Sequence, residues 1–252
     1  AWIPGFLPDL PDVRKELAQY YSSVHRFDET VGEVLRALDE SGMAEDTFVI
    51  LMSDNGMAFP FAKANCYLNS TKTPFIARWP GRIKAGAHNH DDFISGVDFT
   101  PTVLDALGLQ DTLKTDGRSY LPLLLGEKQD QRETVYTQFN TTAMKGEYPM
   151  RCIQSRQFGY IFNSWADGET FYRNESMTGL TYNAMKEAAT DNEEIAKRVR
   201  FFNYRCHEEF YDFSKDPDAL NNLIDDPEYQ HLIQEYRERL YAFMEETEDP
   251  VL

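Results

Sequence analysis

The stretch that most constrains this chain is Phe48-Val49-Ile50-Leu51-Met52-Ser53-Asp54-Asn55-Gly56, an apolar run that ends abruptly in oxygen-bearing side chains and a glycine. An unbroken apolar run of strand length fits a strand buried on both faces of a sheet. Open α/β sheets hold their ligands just beyond the carboxyl ends of such strands. Asp54 and Asn55 are hard oxygen donors that suit Ca²⁺ or Mg²⁺. Gly56 suits a backbone conformation that a Cβ would resist. The same three residues also suit an ordinary turn, and spacing alone does not choose between the two.

The flanks give the strand its setting. A helix is expected after the prolines at 4, 8 and 11, with Asp9 as N-cap and Pro11 and Asp12 in its first turn. Val13, Leu17, Tyr20, Val24, Phe27, Val31, Val34, Leu35 and Leu38 fall at helical spacing, and Gly42 sits where a helix ends. A long helix feeding a strand at 47–52 is the αβ step of a parallel sheet. Further strands are expected at 74–79 and 93–97, a helix from about Pro101 to Ala106 that stops at Gly108, and a short apolar helix or turn at 121–125. From about 133 the texture changes to short aromatic strands at 134–139, 151–155, 159–163 and 209–213, with a polar helical region at 176–200. A closing helix is expected with Asp226 as cap, Pro227 first, and an apolar face of Tyr229, Leu232, Ile233, Tyr236, Leu240 and Phe243. The expected fold class is α/β. An incomplete parallel sheet layer over residues 1–130 is followed by a smaller α+β subdomain with antiparallel strands over 131–252. A chain opening on Ala1 rather than Met reads as processed or truncated, with further motifs upstream.

Charge narrows the partners. With 42 acidic residues against 25 basic ones the formal charge is −17, which argues against a nucleic-acid or anionic-membrane surface. No apolar run approaches bilayer length. A local cation can still hold a small anion against that field. Cys66, Cys152 and Cys206 show neither a disulfide framework nor metal spacing. Asn69-Ser70-Thr71, Asn140-Thr141-Thr142 and Asn174-Glu175-Ser176 fit the glycosylation pattern as chance matches do.

Lys63, eight residues beyond Asn55, can reach back toward an oxyanion as a point charge or simply face solvent. Arg151, after Tyr148-Pro149-Met150, can clamp a carboxylate or sulfate with both arms of its fork, or form a structural salt bridge. His88-Asn89-His90-Asp91-Asp92 reads as a polar loop rather than a metal cluster. Cys152-Ile153-Gln154-Ser155-Arg156 has the outline of a Cys-x-Pro-x-Arg modification site, but Gln154 replaces the proline and the segment reads as strand. Glu208 and Glu209 read as sheet and surface residues.

Five segments in order carry a resemblance: residues 20–32 (YYSSVHRFDETVG), 46–56 (DTFVILMSDNG), 97–108 (VDFTPTVLDALG), 116–124 (DGRSYLPLL) and 210–217 (FYDFSKDP). Together they resemble the second half of a catalytic domain of the sulfatase family, in the alkaline-phosphatase-like superfamily. Ser53 to Pro60 with Lys63, Asn65 and Tyr67, and Tyr148-Pro149-Met150-Arg151, are similar to the family's sulfamidase branch. The resemblance implies Asp54 and Asn55 as two ligands of a divalent cation, usually Ca²⁺, and Lys63 as the catalytic, sulfate-contacting cation, with Arg151 and Tyr148 beside the substrate. It implies a nucleophile made from cysteine, a formylglycine, on residues upstream of these, together with the remaining metal ligands and the proton-handling histidines. The implied substrate is a small sulfated amino sugar, most closely an N-sulfoglucosamine of heparan type. An O-sulfatase, a phosphatase or phosphodiesterase of the same fold, and a non-catalytic sugar-binding module stand as alternatives. The implied compartment is exported or lysosomal. The expected partner of such a half-domain is its missing N-terminal part or a second copy of itself, because an incomplete sheet exposes apolar edges.

Overall fold

The computed structural model describes residues 2–110 and 112–252. In chain order its elements are α1 (Pro11–Glu40), β1 (Val49–Met52), α2 (Leu68–Thr71), β2 (Phe75–Arg78), α3 (Phe99–Ala106), α4 (Leu121–Leu124), β3 (Thr134–Thr141), β4 (Glu147–Ser155), β5 (Phe158–Asn163), α5 (Leu180–Ala188), α6 (Glu193–Tyr204), β6 (Glu208–Asp212) and α7 (Gln230–Glu246). They gather into two compact units that interleave along the chain. The larger holds residues 1–24, 55–73 and 136–252, and the smaller holds 25–54 and 74–135.

The larger unit is built on a four-stranded sheet in the order β3-β4-β5-β6. β4 pairs antiparallel with β5, Cys152 opposite Ile161 and Ile153 opposite Tyr160. β5 pairs antiparallel with β6, Tyr160 opposite Phe210 and Ile161 opposite Glu209. Because side chains alternate across a strand, the two faces sort into two cores. Met150, Cys152, Ile161 and Tyr211 join one cluster with Leu17, Phe61, Tyr172 and Phe202. Ile153, Tyr160, Phe162 and Phe210 join the other with Ile233, Tyr236, Leu240 and Met244 of α7. Those four α7 residues recur at helical spacing, and each fully buried apolar side chain contributes about 1.5–3 kcal/mol. α7 starts later than expected. Pro227 lies in a preceding turn, where Asp226 Oδ1 accepts from the backbone N–H of Glu228 at 2.9 Å. The polar helical region splits into α5 and α6 because Asn192 breaks in as a cap, accepting from the Ile195 N–H at 3.1 Å.

In the smaller unit β1 and β2 pair antiparallel, Val49 opposite Arg78 and Met52 opposite Phe75. The α/β class and the antiparallel C-terminal strands are as expected, but the parallel pairing is not found among the described residues. A parallel partner needs a crossover, usually helical and a dozen residues or more, that returns the chain to the start of the first strand. The connection between β1 and β2 instead ends where it began, with Ser53 N–H donating to Pro74 O at 3.2 Å. The strand expected at 93–97 is also absent. Ser95 and Asp98 form a reciprocal capping box that turns Gly96–Asp98 into a 3₁₀ helix leading into α3. Asp98 is buried, takes Arg132 Nη1 at 2.5 Å and accepts from the Arg118 N–H at 2.8 Å, so one carboxylate gathers three loops.

α1 begins at Pro11, but Asp9 does not cap it and instead ion-pairs with Arg14. Of its apolar positions only Val13 and Leu17 are buried. Phe27 and Val34 are 55% and 63% exposed. No residue of β1 is buried, and Ile76 in β2 is 62% exposed. Both buried apolar clusters lie in the larger unit.

Candidate functional site around Lys63

Residues 59–67, in the larger unit, are buried with one exception, Lys63. Phe61 and Ala64 on either side of it hold positive φ angles of 67° and 60°. Such a conformation costs a non-glycine residue about 1–2 kcal/mol and persists only where its surroundings impose it. Here they do. The Phe61 ring meets the Arg198 guanidinium at 3.6 Å and that of Arg205 at 4.9 Å. Tyr172 Oη donates to the Ala64 carbonyl. The Lys63 carbonyl accepts from Asn65 Nδ2 at 2.8 Å and from Asn174 Nδ2 at 3.5 Å. Asn174 and Tyr172 are both fully buried. Gly56 is needed at the loop's start for space rather than for an unusual φ, since a Cβ there would stand 2.1 Å from the Asn69 carbonyl oxygen and 2.4 Å from that of Ala62. The loop therefore carries one side chain outward and fixes the backbone that bears it.

The Lys63 side chain is 32% exposed, and its Nζ lies 3.4 Å from Glu175 Oε1. Behind the loop, Glu209 is fully buried on the sheet face that Ile161 shares. It accepts three hydrogen bonds, from Tyr67 Oη and Tyr211 Oη at 2.6 Å and from Asn163 Nδ2 at 2.7 Å. Tyr67 Oη also accepts from Arg205 Nη1 at 2.9 Å, placing a neutral hydroxyl between a buried cation and a buried anion. Burial holds the Tyr67 hydroxyl well above its ordinary pKa.

The other expected residues fall into place separately. Arg151 makes the bidentate clamp expected of it, but on Asp249 of its own chain. Its Nε bonds Asp249 Oδ2, its Nη2 bonds Oδ1 at 2.8 Å, and its Nη1 bonds Asn140 Oδ1 at 2.8 Å. With the pair buried, the fork is filled. Tyr148 is buried and donates to the Phe171 carbonyl at 3.0 Å. Asp54 is exposed, two residues beyond β1. Asn55 Nδ2 donates to the Gly56 carbonyl at 2.8 Å, which turns the amide oxygen away from that carbonyl. Carboxylate and amide oxygens are the right donors for a hard cation, but such a cation takes about 6–8 ligands. No group of three or more His, Cys, Asp or Glu is placed to hold a metal among the described residues. His88 and His90 are exposed and stack on each other at 5.9 Å.

Cys152 is buried in β4, and burial lifts its thiol well above the ordinary range. Burial likewise pushes Cys66 and Cys206 up to about 12. Cys66 and Cys152 are buried and Cys206 is half-buried, and a thiol held in its neutral form is a poor nucleophile. The folded protein is expected to show no fast-reacting thiol toward an aromatic disulfide reagent at pH 8, and three after denaturation. A rapid native equivalent at Cys152 would contradict this placement.

Sequence reasoning missed Tyr172, Asn174, Glu175, Arg205 and Glu209. Glu175 lies over a hundred positions from Lys63, and no motif joins them. Asn174 showed only a glycosylation triplet, yet it is fully buried.

The chain is similar to known proteins in both sequence and fold. The model described as "Sulfatase" matches residues 4–109, and that described as "N-sulphoglucosamine sulphohydrolase, C-terminal" matches residues 58–175. The fold is that of solved sulfatase structures. A solved structure in complex with D-glucosamine-2-N,6-O-disulfate superposes with a TM-score of 0.66 at 24% identity, over 90% of this chain and 40% of that one. Human N-sulphoglucosamine sulphohydrolase is 32% identical over 98% of this chain and 51% of its own length. An ulvan-active sulfatase of Formosa agariphila is 27% identical over 94% of this chain and 39% of its own length. Taken together, the two family-model matches make residues 4–175 similar to the sulfatase family. The chain spans about half the length of the curated relatives it matches.

Proposed function

We propose that this chain is part of a sulfatase that releases sulfate from a sulfated amino sugar, with the N-sulfate of a heparan-type glucosamine as its substrate. The observation that carries the reading is the Lys63 loop. A strained backbone, locked by buried side chains, holds out a single cation within the segments matched by both family models. Lys63 would take a sulfate oxygen. A water-poor site makes such a preplaced charge worth far more than in bulk solvent. The 32% identity to a sulphoglucosamine sulphohydrolase across nearly the whole chain supports the sugar.

In this reading residues 1–130 are the second half of the catalytic α/β domain and 131–252 its C-terminal subdomain. Asp54 and Asn55 would hold a divalent cation, Ca²⁺ in this family, together with ligands outside these residues. Bound there, the cation would supply a positive field toward the sulfate oxygens. Residues 1–252 contain no Cys-x-Pro-x-Arg sequence, so the formylglycine nucleophile is assigned to polypeptide beyond them. The exposed apolar faces of α1 and β2 suit coverage by that polypeptide or by a second copy. An exported or lysosomal setting goes with such a substrate. No described helix is long and apolar enough to cross a membrane.

Sulfate release by the complete enzyme tests the proposal. N-sulfoglucosamine is expected to outcompete glucosamine 6-O-sulfate, while residues 1–252 alone release nothing. Preference for the O-sulfate would overturn the sulfamate assignment. Turnover by this chain alone would overturn the external nucleophile.

A further inference from the structure

Glu175 is the carboxylate beside Lys63, and it is short of donors. Its Oε1 has the 3.4 Å contact with Lys63 Nζ, while its Oε2 is enclosed by protein and accepts no hydrogen bond. An ionised carboxylate has room for about four donors. The backbone on both sides of it is fixed. Asn174 and Ser176 are buried and bonded to each other at 2.7 Å, and Asn174 also reaches the Lys63 carbonyl. The side chain itself stays 29% exposed. The last torsion of a glutamate is broad and two-fold, so either oxygen can turn to the open side, where it still needs a donor. The result is a cation and an under-supplied anion held side by side on one framework.

We propose that Glu175 is a specificity-determining residue that reads the bridging nitrogen of a sulfamate. The inference rests on the reading of Lys63 as the sulfate-contacting cation. In R–NH–SO₃⁻ the anion and an N–H donor are adjacent, matching Lys63 and Glu175 in charge and in order. The N–H donates to the carboxylate while a sulfonate oxygen meets the ammonium. In R–O–SO₃⁻ the bridging atom brings lone pairs and no proton, so the carboxylate faces electron density and repels the ligand. Selectivity then has an attractive element for nitrogen and a repulsive one against oxygen. Sites that hydrogen-bond a substrate N–H reject analogues lacking it far more strongly than apolar pockets reject a missing methylene.

Two small monoanions isolate the effect, sulfamate (H₂N–SO₃⁻) and methyl sulfate (CH₃O–SO₃⁻), titrated into the 252-residue chain by NMR. Sulfamate is expected to bind about tenfold more tightly, the scale of one hydrogen bond to a charged group. Glu175→Ala should remove the difference while leaving methyl sulfate bound as well or better. Glu175→Gln, which keeps the shape, should narrow it. Lys63→Met should weaken both ions alike. If Lys63→Met changes neither affinity, the reading of Lys63 fails. If Lys63→Met weakens both but sulfamate shows no advantage, or an advantage that survives Glu175→Ala, the role of Glu175 is overturned; if neither ion binds the parent chain measurably, both readings fail. In the complete enzyme, Glu175→Gln is expected to lower the N-sulfate to O-sulfate ratio of kcat/KM by at least about tenfold, again one charged hydrogen bond. An unchanged ratio counts against it.

Discussion

Arg151→Ala is expected to destabilise the protein by about 3–5 kcal/mol, because truncating one member of a buried ion pair strands the other. The stranded group is Asp249, which takes two arms of the guanidinium fork. Replacing both partners, as Arg151→Leu with Asp249→Leu, should cost much less, since an apolar pair leaves no charge behind. Acid titration gives the same interaction a second signature. The hydrogen bond from Arg151 holds the Asp249 carboxyl below its usual value. A depressed folded pKa contributes stability above the unfolded value of about 3.9, and that stability is lost as pH falls through the lower folded one. Arg151→Ala should therefore flatten the acid limb of a urea-midpoint profile as well as lower its plateau. A variant of normal stability with only a raised KM would show instead that Arg151 is free to clamp substrate.

Lys63→Met is expected to do the reverse. In the complete enzyme it should lower kcat by about 10²–10³-fold, the usual consequence of removing one preplaced donor from an oxyanion site. Thermal stability should stay within about 0.5 kcal/mol of the parent, as for other partly exposed side chains whose ion pairs contribute little. Lys63→Arg, which keeps the charge on a different head group, should recover most of the rate. Full activity in Lys63→Met would remove Lys63 from the chemistry. A large stability loss would mean that its contact with Glu175 is structural.

How much of this was legible in the chain depended on the range of the interaction. α1 starts at its proline, and α3 and α4 run into glycines with φ of 70° and 87°. Each of those signals acts within a few residues. The β4–β5 hairpin and β6 were readable because alternation on both faces is local too. The partner of β1 was not, since pairing direction depends on where the connection over residues 53–74 returns. The strand expected at 93–97 lost to a capping box whose carboxylate also answers Arg132, 34 positions away. The candidate site divides in the same way. Lys63 stands out by following Asp54 and Asn55 closely, whereas Arg151 carried a genuine signal for a bidentate partner but nothing to say that Asp249 was that partner. Glu175 and the Tyr67–Glu209 contact join residues more than a hundred positions apart, and nothing in the sequence links them.

The uneven distribution of core has a thermodynamic consequence. Both buried apolar clusters belong to the larger unit, while the smaller leans on a two-stranded pair and on loops tied to Asp98. Heat-capacity change on unfolding follows the apolar surface exposed, so the two units have stability curves of different curvature. The larger responds steeply to temperature and the smaller gently. The isolated chain is therefore expected to depart from two-state unfolding, with calorimetric and van't Hoff enthalpies that differ. A single melting temperature would average a cooperative body with one whose amides exchange by local opening.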